Sequence, residues 1–320
     1  MAAPATSYAS FRRSLIVTGD EVAHLVTLAF GATVVLITVL LVWNLWGASA
    51  ASRSKFGIGF LWGTNWDPNA NDFGALPFIY GTVMTSLMAL VLSVPLGVGA
   101  AIFLAEMAPP GLSSACTFLV ELLAAVPSVI YGMLAIFTVV PLMHDYVEPA
   151  LKGAFGYLPQ FQGPMLGVGY LTAAVVLAIM TFPYIIAISR EALLEVPRDQ
   201  REAALALGAT RWETTFKVVV PYARLGILGS IFLGLARALG ETMAITMVIG
   251  NDSIMHASWF APGYTIAAVL ANEFAEATGK LYTGALVELG LVLFLVTMVI
   301  NALARLLVIA TTRKGSAKAA

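Results

Sequence analysis

Two charged residues, Arg237 and Glu241, lie four positions apart within the apolar stretch 221–249. In a helix, residues four apart share a face. A charge at the centre of a bilayer costs from about 2.5 kcal/mol to more than 10 kcal/mol, so this pair is expected to face the protein interior or a wet cavity. Because a planar guanidinium matches oxyanions, Arg237 is a candidate contact for an anion in transit, with Glu241 holding its side chain. The alternative is a salt bridge that locks two helices.

A second concentration of charge occupies residues 198–217, between two apolar stretches. The segment contains two candidate capping boxes, Asp199-x-x-Glu202 and Thr210-x-x-Glu213. Gly208 is suited to the left-handed turn that ends a helix. The pattern therefore predicts two short helices that meet at Gly208, with Pro221 opening the next apolar stretch. Their small, apolar residues suit a soluble partner, whereas the alternative is a basic connector that lies on anionic lipid.

The elements that position these residues are apolar helices. The 320 residues are 59% hydrophobic and 11% charged, with a mean hydropathy of +0.88, whereas soluble domains are about 25% charged. A membrane-spanning helix needs roughly 20 mostly apolar residues. The sequence predicts an all-α integral membrane protein with six spans, at 22–46, 78–104, 113–142, 166–189, 221–249 and 283–310.

The first apolar stretch has one alternative interpretation, a cleaved signal peptide. Arg12 and Arg13 precede it, and Ala48-Ser49-Ala50 follows it. Signal peptides have apolar cores of only about 7–15 residues, and the stretch 24–46 is longer. We therefore expect a retained helix.

Lysine and arginine predict the orientation, because they accumulate on the cytoplasmic side. With six spans, twelve of the 17 lie on the side of the N-terminus, four lie on the opposite side, and Arg237 lies within a span. Both termini and the 198–217 segment are therefore expected in the cytoplasm. The predicted organisation is an N-terminal segment 1–21, a transmembrane domain 22–310 and a tail 311–320, and the family resemblance given below implies a bacterial plasma (inner) membrane.

Several residues within or beside the spans leave alternatives open. Internal prolines indicate kinked helices, either as ordinary membrane-helix prolines or as curvature around a pathway; they are Pro95, Pro127, Pro141 and Pro183. A ridge of small residues predicts close helix packing, either with a second membrane subunit or within this chain; it comprises Gly226, Ser230, Gly234 and Ala238.

Acidic residues in the spans are functional or structural candidates, namely Glu121 and Glu288, whereas Glu106 and Glu191 are expected to be solvated. The outer loops predict turns and short interfacial helices, with a partly buried helix near 264–270.

Other classes of function are disfavoured. The sequence contains no G-x-x-x-x-G-K-[ST] phosphate-binding loop, no clustered His/Cys/Glu metal site and no nucleophile motif. The lone Cys116 excludes an internal disulfide, and a net charge of −1 gives no sign of nucleic-acid binding. We expect no cofactor and no enzymatic activity within this chain.

One pattern in the charged segment resembles a known family. Glu202-Ala203-Ala204-x3-Gly208-x9-Val218-x-Val220-Pro221 is similar to the EAA loop of type I (MetI-like) ABC importer permeases. In that family the loop is a coupling helix that docks on a cytoplasmic ATPase. The resemblance assigns ATPase coupling to Glu202, Ala203, Ala204, Gly208 and Pro221.

Further runs resemble the PstC family of phosphate permeases. They include 71–82, 94–97, 125–132, 237–244 and 262–266. In that family the positions of Arg237 and Glu241 are important for transport. The resemblance implies a permease subunit that imports inorganic phosphate by alternating access, with ATP hydrolysed on a separate chain.

The same resemblance implies partners: a homologous PstA-type permease, two PstB-type ATPase subunits, an external PstS-type phosphate-binding protein and membrane lipid. Two alternatives remain. The same fold could carry sulfate, molybdate or phosphonate, or the chain could be a secondary transporter or channel in which Arg237 and Glu241 relay ions.

Overall fold

The computed structural model describes residues 6–316, which are mostly helical. The helices are α1 Thr6–Ala48, α2 Ala50–Phe56, α3 Gly59–Trp62, α4 Leu76–Met107, α5 Pro110–Ala124, α6 Ser128–Phe155, α7 Tyr170–Leu194, α8 Arg198–Ala206, α9 Arg211–Leu239, α10 Met243–Val248, α11 Ile266–Glu273 and α12 Lys280–Ser316. A 3-10 turn, Pro159–Phe161, lies between α6 and α7. One antiparallel hairpin, β1 Trp66–Asp67 with β2 Asp72–Phe73, pairs Trp66 with Phe73.

Six of the described helices are long and apolar enough to cross a membrane, which confirms the predicted number of spans. Four predicted spans match α1, α4, α7 and α12 closely. The third predicted span, 113–142, is wrong because the helix is interrupted. One helix ends at Ala124, Pro127 has an extended backbone (ψ 141°), and a new helix begins at Ser128. The stretch is thus divided between the short α5 and the spanning α6. Proline at this point lacks the N–H that a continuous helix would need.

The other prolines are accommodated in three ways. Pro95 and Pro183 lie inside continuous helices. Pro141 lies between two π-helical turns, Ala135–Val139 and Met143–Val147. Pro221 follows another, Thr215–Val219, so α9 passes through it and does not begin there. Wider turns of this kind interrupt the normal hydrogen-bond ladder, which is where a residue without an N–H costs least.

Helix α7 lies at the centre of the molecule and is the most buried of the six spans. It packs against α4, α5 and α9. One core cluster surrounds its first half, including Tyr170, Val176 and Leu177, and another surrounds its second half, including Ile186 and Leu193. Helix α1, by contrast, contacts α12 and α2 and leaves most of its apolar side chains between Val22 and Trp46 exposed.

The ridge of small residues on α9 packs against α7 of the same chain. A Cβ on Gly226 would lie 2.3 Å from the Cβ of Ala192. The hydroxyls of Ser230 and Ser189 are 2.7 Å apart and hydrogen-bonded. The ridge therefore packs within this chain, as one of the two alternatives predicted. The other alternative, a surface for a second subunit, is wrong because α7 already covers the ridge.

The segments that connect the helices at the opposite end from α8 form a packed layer. Phe60, Phe73, Phe78 and Tyr264 share a core cluster with α11 and α12. The predicted helix near 264–270 is confirmed as α11, which buries Ile266 to Val269. Burial raises the pKa of Tyr264 to about 12, so its hydroxyl stays neutral while it accepts a 2.9 Å hydrogen bond from Asn272 Nδ2.

Candidate functional site

Arg237 lies in the last turn of α9, beside the middle of α7. Its guanidinium carbon is 4.4 Å from the centroid of the Tyr184 ring, within the range of a cation–π contact. Its Nε is buried without a hydrogen-bond partner, and it forms no ion pair with any described residue. The ring therefore orients Arg237 while its donor groups remain available to a ligand.

Glu241 lies beyond the end of α9, which contradicts the prediction that it shares a helical face with Arg237. The helix ends at Leu239, and Gly240 turns the chain out of it. Glu241 is 8% exposed, and its Oε1 accepts a 3.3 Å hydrogen bond from the backbone N–H of Ala244 at the start of α10. The alternative, a salt bridge between Arg237 and Glu241, is absent among the described residues. Span 221–249 is likewise wrong at both ends, since α9 covers 211–239.

Arg237 and Glu241 nevertheless border one cavity. It has a volume of about 410 Å³ and is lined by Tyr184, Leu233, Ala236, Arg237, Gly240 and Glu241. The structure thus places at one cavity the two residues that the sequence singled out. They meet there because the helix ends between them, and not because they share a helical face. The cavity combines an unpaired cation, a carboxylate and an aromatic ring, which suits an anion that also carries a hydrogen-bond donor.

Two tyrosine hydroxyls tie this region to the end of α5. Tyr184 Oη donates to the Ala124 carbonyl oxygen at 2.7 Å, and Tyr131 Oη donates to that of Leu123 at 2.9 Å. The last carbonyls of a helix have no partner within it. The tyrosines supply those partners at the break before Pro127, so the ring under Arg237 is held at both ends.

The charged segment presents an exposed surface on α8. Glu202, Ala203 and Gly208 are exposed, and Ala204 is half-buried. Leu207 is 90% exposed, and Leu205 is also exposed. A surface that combines these leucines with alanines and charged neighbours is typical of a docking site.

The turn after α8 follows the prediction in part. Gly208 has a φ of +86°, the left-handed conformation expected of it. Thr210 and Glu213 form a complete capping box, in which each side chain accepts from the other residue's backbone N–H.

The first predicted box, at the start of α8, is wrong. Pro197 precedes α8, and no side chain caps this helix, because Asp199 already lies in its first turn.

The prediction of a second, separate short helix after Gly208 is also wrong. Residues from Arg211 onward continue through a π-helical turn into α9. Trp212 and Phe216 pack against each other on its exposed side, with ring centroids 4.3 Å apart and ring planes tilted by 44°. The α8 helix therefore connects directly, through Gly208, to the helix that carries Arg237.

Arg201 holds α8 against the membrane helices, a role that the sequence did not reveal. Its Nη2 lies 2.8 Å from Glu106 Oε1 and donates to the Leu193 carbonyl oxygen at 2.8 Å, and Nη1 donates to that of Val196. Glu106 is 11% exposed at its side chain, so the expectation that it is solvated is wrong. Glu191 matches that expectation, since it is 69% exposed.

The two acidic candidates within apolar runs differ in environment. Glu288 is 7% exposed and lines an apolar cavity of about 550 Å³ together with Arg53. Glu121 is exposed and borders a separate polar cavity on α5. Within residues 6–316, no group of three or more His, Cys, Asp or Glu is placed to hold a metal ion.

Comparison with known proteins decides the family. Residues 93–312 match the family described as the binding-protein-dependent transport system inner membrane component. The chain belongs to this family. It is accordingly a multi-pass inner-membrane component of a transport system, with the matched region extending from α4 to α12.

Relatives and solved structures agree with this membership. This chain is 47% identical over 274 residues to the phosphate transport system permease protein PstC of Xylella fastidiosa, and the match covers 84% of each chain. Its fold resembles that of a bacterial ABC transporter involved in the import of the polysaccharide alginate, with a TM-score of 0.56 at 16% identity, covering 92% of this chain and 98% of that one.

The inward-facing MetNI methionine ABC transporter gives a TM-score of 0.51 at 17% identity, covering 71% of this chain and 93% of that one. The MetI-like permease fold is therefore confirmed.

Proposed function

We propose that this chain is the permease subunit of an ATP-driven importer of inorganic phosphate. The observation that carries the proposal is the cavity bordered by Arg237, Tyr184 and Glu241, in which the guanidinium has no ionic partner among the described residues. The PstC relative supplies the substrate class, since phosphate transport is what its name records. Arg237 binds the oxyanion, and Glu241 accepts a hydrogen bond from a protonated phosphate oxygen.

ATP hydrolysis is assigned to separate chains. The surface of α8, with the exposed Glu202 and Ala203 and the half-buried Ala204, docks on an ATPase subunit, and Gly208 and Pro221 belong to the path that transmits its motion. The lysine and arginine distribution supports a cytoplasmic position for α8 and both termini.

The complete importer contains this chain, a homologous PstA-type permease, two PstB-type ATPase subunits and an external PstS-type binding protein. Nucleotide shifts the population between inward-open and outward-open states, and the substrate cavity changes its accessible side accordingly.

The proposal is tested by replacing the two cavity residues in the assembled importer. Arg237→Gln and Glu241→Gln are expected to lower ATP-driven phosphate uptake by roughly tenfold or more, because hydrogen bonds to charged groups contribute about 1.5–3 kcal/mol. Arg224→Gln is the matched control, since Arg224 is an exposed arginine on the same helix and borders none of the cavities described above. Normal uptake by membrane-inserted Arg237→Gln and Glu241→Gln would contradict the proposed roles.

A further inference from the structure

A second cavity borders α7 closer to its C-terminal end. It has a volume of about 490 Å³ and is lined by Pro110, Ser113, Ser114, Thr117, Phe118, Glu121 and Arg190. Five of these seven residues are polar or charged, which is unusual for a cavity between helices of a membrane protein. None of them belongs to the cavity around Arg237.

Two donor groups in this second cavity have no partner. Arg190 Nε and Thr117 Oγ1 are both buried atoms without a hydrogen bond. The remaining donors of Arg190 are only partly occupied: Nη1 contacts Glu191 Oε1 at 2.9 Å, and that carboxylate is 69% exposed. Ser113 is already committed, since its hydroxyl donates to the Leu104 carbonyl oxygen at 2.7 Å. Buried donors without partners are rare unless a ligand or water satisfies them.

The second cavity repeats the chemistry of the first. Each is bordered by one arginine and one glutamate that do not pair with each other: Arg237 with Glu241, and Arg190 with Glu121. The two are also close along the fold. Arg190 follows Tyr184 by six residues of α7, about 9 Å along the helix axis. Glu121 precedes Ala124, the residue whose carbonyl accepts from Tyr184, by one helical turn.

We propose that the second cavity is a further binding station for protonated phosphate, reached after the Arg237 cavity. This inference rests on the proposed function. Arg190 and Thr117 donate to the phosphate oxygens, and Glu121 accepts from a phosphate hydroxyl, because a carboxylate is an acceptor only. Near neutral pH inorganic phosphate keeps at least one P–OH group, whereas sulfate keeps none. A site that requires a hydroxyl donor rejects an analogue without one, because its acceptor would be left unpaired next to a negative charge.

The station is tested by thiol protection, which needs neither ATP nor the binding protein. Cys116→Ala removes the only cysteine of this chain, and Ser114→Cys then places a reporter on the wall of the second cavity. A thiol reagent is added in the presence of inorganic phosphate or of sulfate. Its reaction with the introduced cysteine is read from the mass of this chain in the assembled importer. Phosphate is expected to slow modification, and sulfate is not. Ala115→Cys is the matched control, because Ala115 is exposed on the same helix but does not line the cavity.

Two further replacements separate the roles of the wall residues. Adding Arg190→Gln is expected to abolish protection by phosphate. Adding Glu121→Gln is expected to let sulfate protect as well, since an amide also donates. Protection that is absent, or that survives Arg190→Gln unchanged, would overturn the second station. If ATP-driven phosphate uptake is intact in that case, only this inference fails and the proposed function stands.

A second measurement does not depend on access of the thiol reagent. In reconstituted importers, Arg190→Gln is expected to lower the maximal rate of phosphate uptake roughly tenfold, whereas Arg190→Lys retains more of it because the cation remains. Equal rates for the three forms would also overturn the inference.

Discussion

Arg201 and Glu106, 95 residues apart in the chain, form an ion pair of 2.8 Å that fixes helix α8 to the ends of α4 and α7. Both side chains are largely buried, at 19% and 11% exposure. The guanidinium of Arg201 also donates hydrogen bonds to the carbonyl oxygens of Leu193 and Val196 at the end of α7. These contacts join α8 to α4 and α7, in addition to α9, which follows it in the chain.

Loss of this ion pair is predicted to uncouple α8 from the membrane helices. Breaking a buried ion pair costs about 3–5 kcal/mol, because the remaining charge has no partner. Arg201→Met is expected to lower ATP-driven phosphate uptake strongly while membrane insertion persists. Lys217→Met is the matched control, since the Lys217–Glu213 pair is 72% and 41% exposed, and solvent screening leaves such a surface pair little effect on stability. Equal uptake by the two variants would show that the pair transmits nothing.

The turn at Gly208 is predicted to tolerate only residues that accept its left-handed backbone. Its φ is +86°, and a Cβ there would contact nothing within 4 Å, so backbone strain alone decides the outcome. Gly208→Val is expected to cost roughly 1–2 kcal/mol and to impair coupling, whereas Gly208→Asn is expected to preserve it. Uptake per inserted permease measures the difference. A Gly208→Val variant as active as Gly208→Asn would argue against a fixed turn.

The ring of Tyr184 is predicted to matter more than its hydroxyl. Tyr184→Phe keeps the surface 4.4 Å from the Arg237 guanidinium and loses only the bond to the Ala124 carbonyl. Tyr184→Leu removes the ring, so Arg237 loses a contact of about 0.5–2 kcal/mol. We expect Tyr184→Phe to keep most phosphate uptake and Tyr184→Leu to lose several-fold. The reverse order would assign the function to the hydroxyl.

Close packing of the outer layer predicts a difference between two glycines of α4. A Cβ on Gly81 would lie 2.0 Å from the Tyr264 carbonyl oxygen, a backbone atom that cannot move aside, whereas one on Gly99 would meet nothing within 4 Å. Gly81→Ala is expected to lower the melting temperature of the purified importer. Gly99→Ala is expected to leave it unchanged or raise it, since alanine favours a helix by about 1 kcal/mol over glycine. Similar melting curves would contradict the packing described.

Much of the fold could be predicted from the sequence, because about 20 consecutive apolar residues specify a membrane helix without tertiary information. The capping box at Thr210 and the turn at Gly208 were also predictable, since each depends on neighbouring residues alone. The division of 113–142 was missed, although Pro127 marked it, because hydropathy continues smoothly through the break.

The site was predicted less completely. The end of α9 before Glu241 had a local signal, Gly240, with Arg237 in the preceding turn where cations are favoured. The partnership of Arg201 with Glu106 had none, because the two residues come together only when α4 and α7 pack. The stacking of Arg237 on Tyr184 likewise joins two helices and depends on their packing.

The central claim is that this permease passes phosphate when ATP acts on the surface of α8. The most direct measurement reconstitutes the chain with a second permease subunit, an ATPase and the external binding protein, and follows labelled phosphate into vesicles. The account predicts uptake that requires ATP, discriminates against sulfate and falls sharply with Arg237→Gln and with Glu202→Arg on α8. Uptake that continues without the ATPase, or that is unchanged by both substitutions, would contradict it.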